Sequence, residues 1–187
     1  MYSEGIGVYG FKATGDSEQK DFGLKLTELL KKKLGNRKEI VILCIGSDYC
    51  IGDCLGPLIG YKLLSSHYDN LAVYGTLKEP VHAVNLNKTV ETIYSKYANP
   101  LVIAIDSSLD SDSDSIGDIT LRDSSISPGI AFGKSLPSVG HIGILGIVNL
   151  SGIPFDRFMQ TTRMHLVMTL ADFIVKGLLT SLDSVID

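Results

Sequence analysis

Two stretches of the chain are apolar almost without a break: "EIVILCIG" from Glu39 and "PLVIAIDSS" from Pro100. Runs this short, bounded by Gly, Pro or an acid, mark strands covered on both faces. "HIGILGIVNL" from His141 reads as a further core strand, and Leu71 to Gly75 as a short second one. Between them the apolar spacing becomes helical. From Ser17, "SEQKDFGLKLTELLKKKLG" sets Phe22, Leu24, Leu26, Leu29, Leu30 and Leu34 on one face and stops at Gly35. A helix follows through "GPLIGYKLLSSH". Another is predicted over "VNLNKTVETIYSKYA", with Asn85 or Asn87 as its cap and Leu86, Val90, Ile93 and Tyr97 as its buried stripe. "DITLRD" predicts an edge strand, and one long helix is expected from about Phe155 to Leu182. Residues 1 to about 17 are rich in Gly and Ser and without period, which predicts a flexible or surface-draped lead.

Apolar strands alternating with helices predict an α/β fold, a three-layer αβα sandwich whose mainly parallel twisted sheet carries helices on both faces. With no repeat and no linker, one domain is expected over residues 1–187. Ligands in such sheets bind beyond the carboxyl ends of the strands, where strand order reverses. With the order 2-1-3, the first and third core strands are neighbours. Asp53 lies in the loop after the first and Asp106 closes the third, so both acids are expected at one crevice.

Composition narrows the partners. Lys and Arg number 17 against 21 Asp and Glu, a net charge of −4, and the main basic run, Lys31 to Lys33, falls on a helix. Such a run is usually a solvated face, so nucleic acid is not an expected partner. The three cysteines, Cys44, Cys50 and Cys54, are an odd number gathered at one motif, which suggests free thiols in a reducing compartment. "MYSEGIGVYG" has no basic and apolar leader, and no apolar run approaches the roughly 20 residues of a membrane span. A cytoplasmic protein without membrane contact is expected.

An Asp ahead of a helix is commonly only a cap. Two acids brought together are different: they cannot both ionise freely, so one carboxyl stays protonated beside an ionised one, or the two share a metal. That is the chemistry of water activation. Competing motifs fail. "PGIAFGKS" has a misplaced first glycine for a phosphate loop, and Pro137 blocks its helix. Asp110, Asp112 and Asp114 are followed by Ser115 and Leu121 where a calcium loop needs Gly and Glu. No G-x-S-x-G occurs. Among the four histidines, His82 follows the second strand and is the first choice for a third functional group, with His141 second; His67 and His165 fall on helices. The long stretch "SSISPGIAFGKSLPS", Ser124 to Ser138, is expected to border the crevice. There Gly129 and Gly133 would leave backbone room for a peptide, and Lys134 would face the acids or the substrate.

These residues resemble a known group. "GSDYCIGDCLGP" is similar to the glycine-to-aspartate loop of the germination protease of spore-forming bacteria, "PLVIAIDSS" to its second aspartate strand, and "ISPGIAFGKSL" to its glycine loop. Hydrogenase maturation endopeptidases share a looser version. Over nearly all the chain, including "EPVHAVNL", "LPSVGHIGILGIVN" and "TTRMHLVM", the sequence resembles the YyaC-type sporulation protein family. The resemblance implies a hydrogenase-maturation-protease-like αβα sandwich and an endopeptidase of spore formation or germination, with a protein or peptide substrate and Asp53 and Asp106 as catalytic aspartates. The maturation endopeptidases add a metal-binding His, which raises one divalent metal ion as a cofactor, with Asp53, Asp106 and His82 as its candidate ligands. A catalytically inactive sporulation protein that binds a partner on the same fold is the alternative, and homo-oligomerisation is left open.

Overall fold

A computed structural model describes residues 7–66, 68–129 and 136–186. Six strands, β1 (Val8–Lys12), β2 (Ile40–Cys44), β3 (Leu71–Tyr74), β4 (Leu101–Asp110), β5 (Asp118–Arg122) and β6 (Ile142–Leu150), form one sheet in the order β1-β5-β6-β4-β2-β3. β3, β2, β4 and β6 run parallel, and β5 and β1 continue the sheet antiparallel. Five α-helices accompany them among the described residues: α1 (Asp16–Leu34), α2 (Leu55–Leu63), α3 (Leu86–Lys96), α4 (Phe155–Thr161) and α5 (Met164–Asp183). The expected α/β sandwich and the order of the first three core strands are both present.

Strand alternation divides the core into two layers. Ile40, Ile42 and Cys44 of β2, with Leu101, Ile103 and Ile105 of β4, pack into the layer of α1, α2 and α5. Val41, Leu43, Val102 and Ala104 turn to the opposite face, where Leu86 and Ile93 of α3 join Ile126 and Val139. Both faces are therefore dry, which is why these strands read as unbroken apolar runs. β2 reaches β3 through α2 on one face, and β3 reaches β4 through α3 on the other. The strand order thus reverses between β2 and β4.

Several expectations need correction. Residues 8–12 are no loose lead but the edge strand β1, whose Tyr9 and Phe11 pack on the core while Val8 is exposed. The glycines around it hid that alternation. β5 lies between β1 and β6 and is not an edge. Leu24 is 61% exposed, off the buried face of α1. The Lys run is only partly solvated, since Lys32 and Lys33 both pair with Asp123 at the end of β5, at 2.9 and 2.6 Å. The long last helix is broken: Thr162 and Arg163 are extended, and buried Asn149 at the end of β6 donates from Nδ2 to Thr161 and Thr162 hydroxyls. α5 has 20 residues and a mean hydropathy of 1.4, enough by length and composition to cross a membrane. Here half of that span is buried, packed on Phe22 and the sheet.

Candidate active site

The site begins where β2 ends. Ile45 donates to the Ile105 carbonyl at 2.7 Å, and Gly46 turns away to donate to Val81 at 2.8 Å. Gly46 has φ 140°, and a Cβ there would stand 2.0 Å from the Asp53 carbonyl oxygen. Only glycine allows the loop to curl back so tightly. The Ser47 N–H closes the curl by donating to that same carbonyl at 3.0 Å. Asp53 ends a short 3₁₀ turn, and the residue capping α2 is Cys54, with no side-chain capping bond. The helix-cap account of Asp53 therefore fails by one position. Gly52 is fixed from the far side, because a Cβ on it would meet the Phe158 ring at 2.2 Å. The break after α4 sets that ring, since the Thr162 hydroxyl donates back to the Phe158 carbonyl at 2.9 Å.

Asp106 does not close its strand as expected. β4 continues to Asp110, paired with β6, whereas β2 stops opposite Ile105. Asp106 is thus the first β4 residue without a β2 neighbour, and alternation turns it to the same face as Val102 and Ala104. It is only 6% exposed. Its Oδ1 accepts from the Ser107 N–H at 2.8 Å. Burial and then the charge of Asp53 push its carboxyl well above the ordinary range, against the opposing Ser107 N–H. Asp53 and Asp106 together line a cavity of about 450 Å³, walled by Ile45, Gly46, Cys50, His82, Pro128, Gly129, Leu136 and Phe158 among others. They also line a second hollow of about 360 Å³ on the Ser107, Ser108 and Arg122 side. The acids stand between an apolar space and one with more serine and charged side chains in its wall.

Of the other expected residues, His82 is in place. Val81 bridges to Ile45 beyond the end of β3 and carries His82 into the cavity wall. Its Nδ1 accepts from the Val84 N–H at 3.3 Å. Among the described residues, no three His, Cys, Asp or Glu side chains form a set that could hold a metal ion. The Asp53, Asp106 and His82 set therefore does not fit a divalent ion as it stands. His141 does not replace it, because it bonds to both backbone groups of Val102 near the start of β4, away from the acids. Burial, then Arg37 and Lys33, lower its pKa. His165 is exposed on α5. Gly129 lines both hollows, as expected of a loop bordering the crevice. His67, Gly133 and Lys134 lie outside the described residues.

Three things were missed. Phe158 and Arg122 line the site from a C-terminal helix and an antiparallel strand, and only their positions on apolar or alternating stripes hinted at an inward side. Cys50, expected only as a free thiol, is part of the cavity wall. The thiols are otherwise as expected: all three are free and buried, and burial pushes up Cys44 and, aided by Asp48 and Asp53, Cys54. The acidic stretch after β4 is used locally, Asp110 and Asp112 each accepting from a backbone N–H two residues on.

Residues 15–177 match the family model described as Protein of unknown function (DUF1256). The chain belongs to that family. A relative, "Uncharacterized protein YyaC" of Bacillus subtilis (strain 168), is 42% identical over 153 residues, 82% of this chain and 73% of the relative. The family match spans the acid loop, β2, β4 and most of α5.

Proposed function

We propose that this protein is an endopeptidase that hydrolyses a protein substrate with the pair Asp53 and Asp106, in the cytoplasm of a cell forming or leaving the spore state. The observation that carries the reading is that two carboxyl groups line one cavity and one of them is buried. Asp106 is held toward its protonated form first by burial and then by the charge of Asp53, while both line one cavity. Similarity of the two acid motifs to the germination protease and hydrogenase maturation endopeptidases supports the reaction class, and the first of these resemblances, to an enzyme of spore-forming bacteria, supports the setting.

The roles follow from protonation. Ionised Asp53 takes a proton from water as the water oxygen attacks the scissile carbonyl carbon. Protonated Asp106 donates its proton to the carbonyl oxygen, so a neutral tetrahedral diol forms without a free oxyanion. Asp53 then gives its proton to the departing amine nitrogen, and Asp106 recovers a proton from a diol hydroxyl as the carbonyl re-forms. Each acid ends as it began. The apolar wall of Ile45, Leu136 and Phe158 excludes bulk water and suits an apolar side chain beside the scissile bond.

The purified chain, incubated with peptides derived from a spore proteome and read by mass spectrometry, should generate new termini that neither Asp53→Asn nor Asp106→Asn generates. Identical peptide patterns from all three proteins would refute the peptidase and leave a partner-binding role.

A further inference from the structure

The hollow on the Ser107 and Ser108 side of the acid pair is lined by a cation that has no ion-pair partner among the described residues. Arg122 ends β5 on the face away from the α1 and α5 layer, since its neighbours Ile119 and Leu121 are the residues buried in that layer. Its Nε is shielded from solvent and has no hydrogen-bond partner, and among the described residues its side chain forms no ion pair. The adjacent acid, Asp123, is engaged by Lys32 and Lys33. Nor does Arg122 serve the acid pair, because the influences felt by Asp106 are burial, Asp53 and the Ser107 N–H. Arg122 lines the hollow, and a guanidinium pairs with the two oxygens of a carboxylate through parallel N–H groups.

We propose that Arg122 anchors a carboxylate of the substrate in the Ser107–Ser108 hollow, making it the specificity residue on that side of the acid pair. This rests on the peptidase reading, and it deepens that reading to a substrate class: a polypeptide with an apolar side chain in the larger cavity and a carboxylate in the smaller. The carboxylate comes either from an acidic side chain or from a free chain end. The charge of Asp53 already borders the hollow, so an anionic substrate enters only where a cation offsets it, and Arg122 supplies it.

The test is a binding measurement that needs no turnover. The arginine side-chain N–H signals of the full chain are followed by NMR during titration with acetylated, amidated tetrapeptides carrying Glu before or after a Leu. Their Gln counterparts, and a neutral peptide with a free carboxyl end, complete the set. At least one carboxylate probe should bind about tenfold or more tightly than its neutral counterpart. Arg122→Gln should abolish that preference and Arg122→Lys should keep part of it. The amidated Glu peptides and the free-ended peptide distinguish the two sources. Equal binding of all probes, no binding by any, or a preference that survives Arg122→Gln would overturn the proposal. If Arg122→Gln fails to fold, Arg122→Lys decides: an undiminished preference refutes the bidentate fork, and a diminished one supports it. Carboxylate binding through Arg122 without cleavage of any peptide would uphold the anchor and refute the peptidase.

Discussion

Replacing Asp106 by Asn should abolish cleavage and stabilise the fold near neutral pH. Asn has nearly the same size and keeps an Oδ1 able to accept from the Ser107 N–H, a bond of 2.8 Å in the native protein. What it loses is the ability to ionise. Burial and Asp53 raise the native carboxyl above its ordinary 3.8, so over the window between those values the folded chain holds a proton that the unfolded chain has released. Stability therefore falls as pH rises through that window, by as much as about 1.4 kcal/mol per pH unit, and the loss is complete above the native value. The Asn variant lacks this slope. Its advantage should be near zero below about pH 4 and should grow with pH; each 1 kcal/mol gained raises the melting midpoint by roughly 2–4 °C in a chain of this size. Urea unfolding of both proteins across that pH range reads the difference directly. A variant less stable than the native protein at neutral pH, or a difference independent of pH, would refute the claim that Asp106 is held protonated by its surroundings.

Gly46→Ala should destabilise the fold by about 1–3 kcal/mol and remove cleavage, because the added Cβ meets the Asp53 carbonyl and φ there suits glycine; chemical denaturation and the peptide assay check the two effects. Asp123 has the opposite linkage to Asp106. Burial alone would raise its carboxyl, but Lys33 and Lys32 hold it below the ordinary range, so it contributes stability above about pH 4 that is lost as pH falls further. Asp123→Asn should flatten that acid limb in pH-dependent melting curves, and an unchanged limb would show that the pairing is energetically idle.

The central sheet was legible because its chemistry is local. A strand dry on both faces must be apolar throughout, so β2 and β4 declared themselves, and the commonest order of parallel strands then put Asp53 and Asp106 at one crevice. Positions set by long-range geometry were not legible. Nothing near Val8 says that it will pair with Arg122, and a period broken by Gly7 and Gly10 conceals the strand. The break at Thr162 depends on Asn149 meeting it from β6, so a helical pattern ran straight through it. The end of β4 was misplaced because Asp106 looks like a strand terminator. It marks instead the end of its neighbour β2, a property of the pair and not of the segment.

Site-resolved titration tests most directly the claim that Asp53 and Asp106 act as one proton-sharing unit. With carboxyl carbons labelled in aspartate, NMR should show Asp106 titrating well above the ordinary carboxylate range in the native chain. In Asp53→Asn its pKa should fall part of the way back, since burial remains after the neighbouring charge is gone. An Asp106 signal that titrates in the ordinary range, or one that is raised but indifferent to Asp53→Asn, would contradict the account.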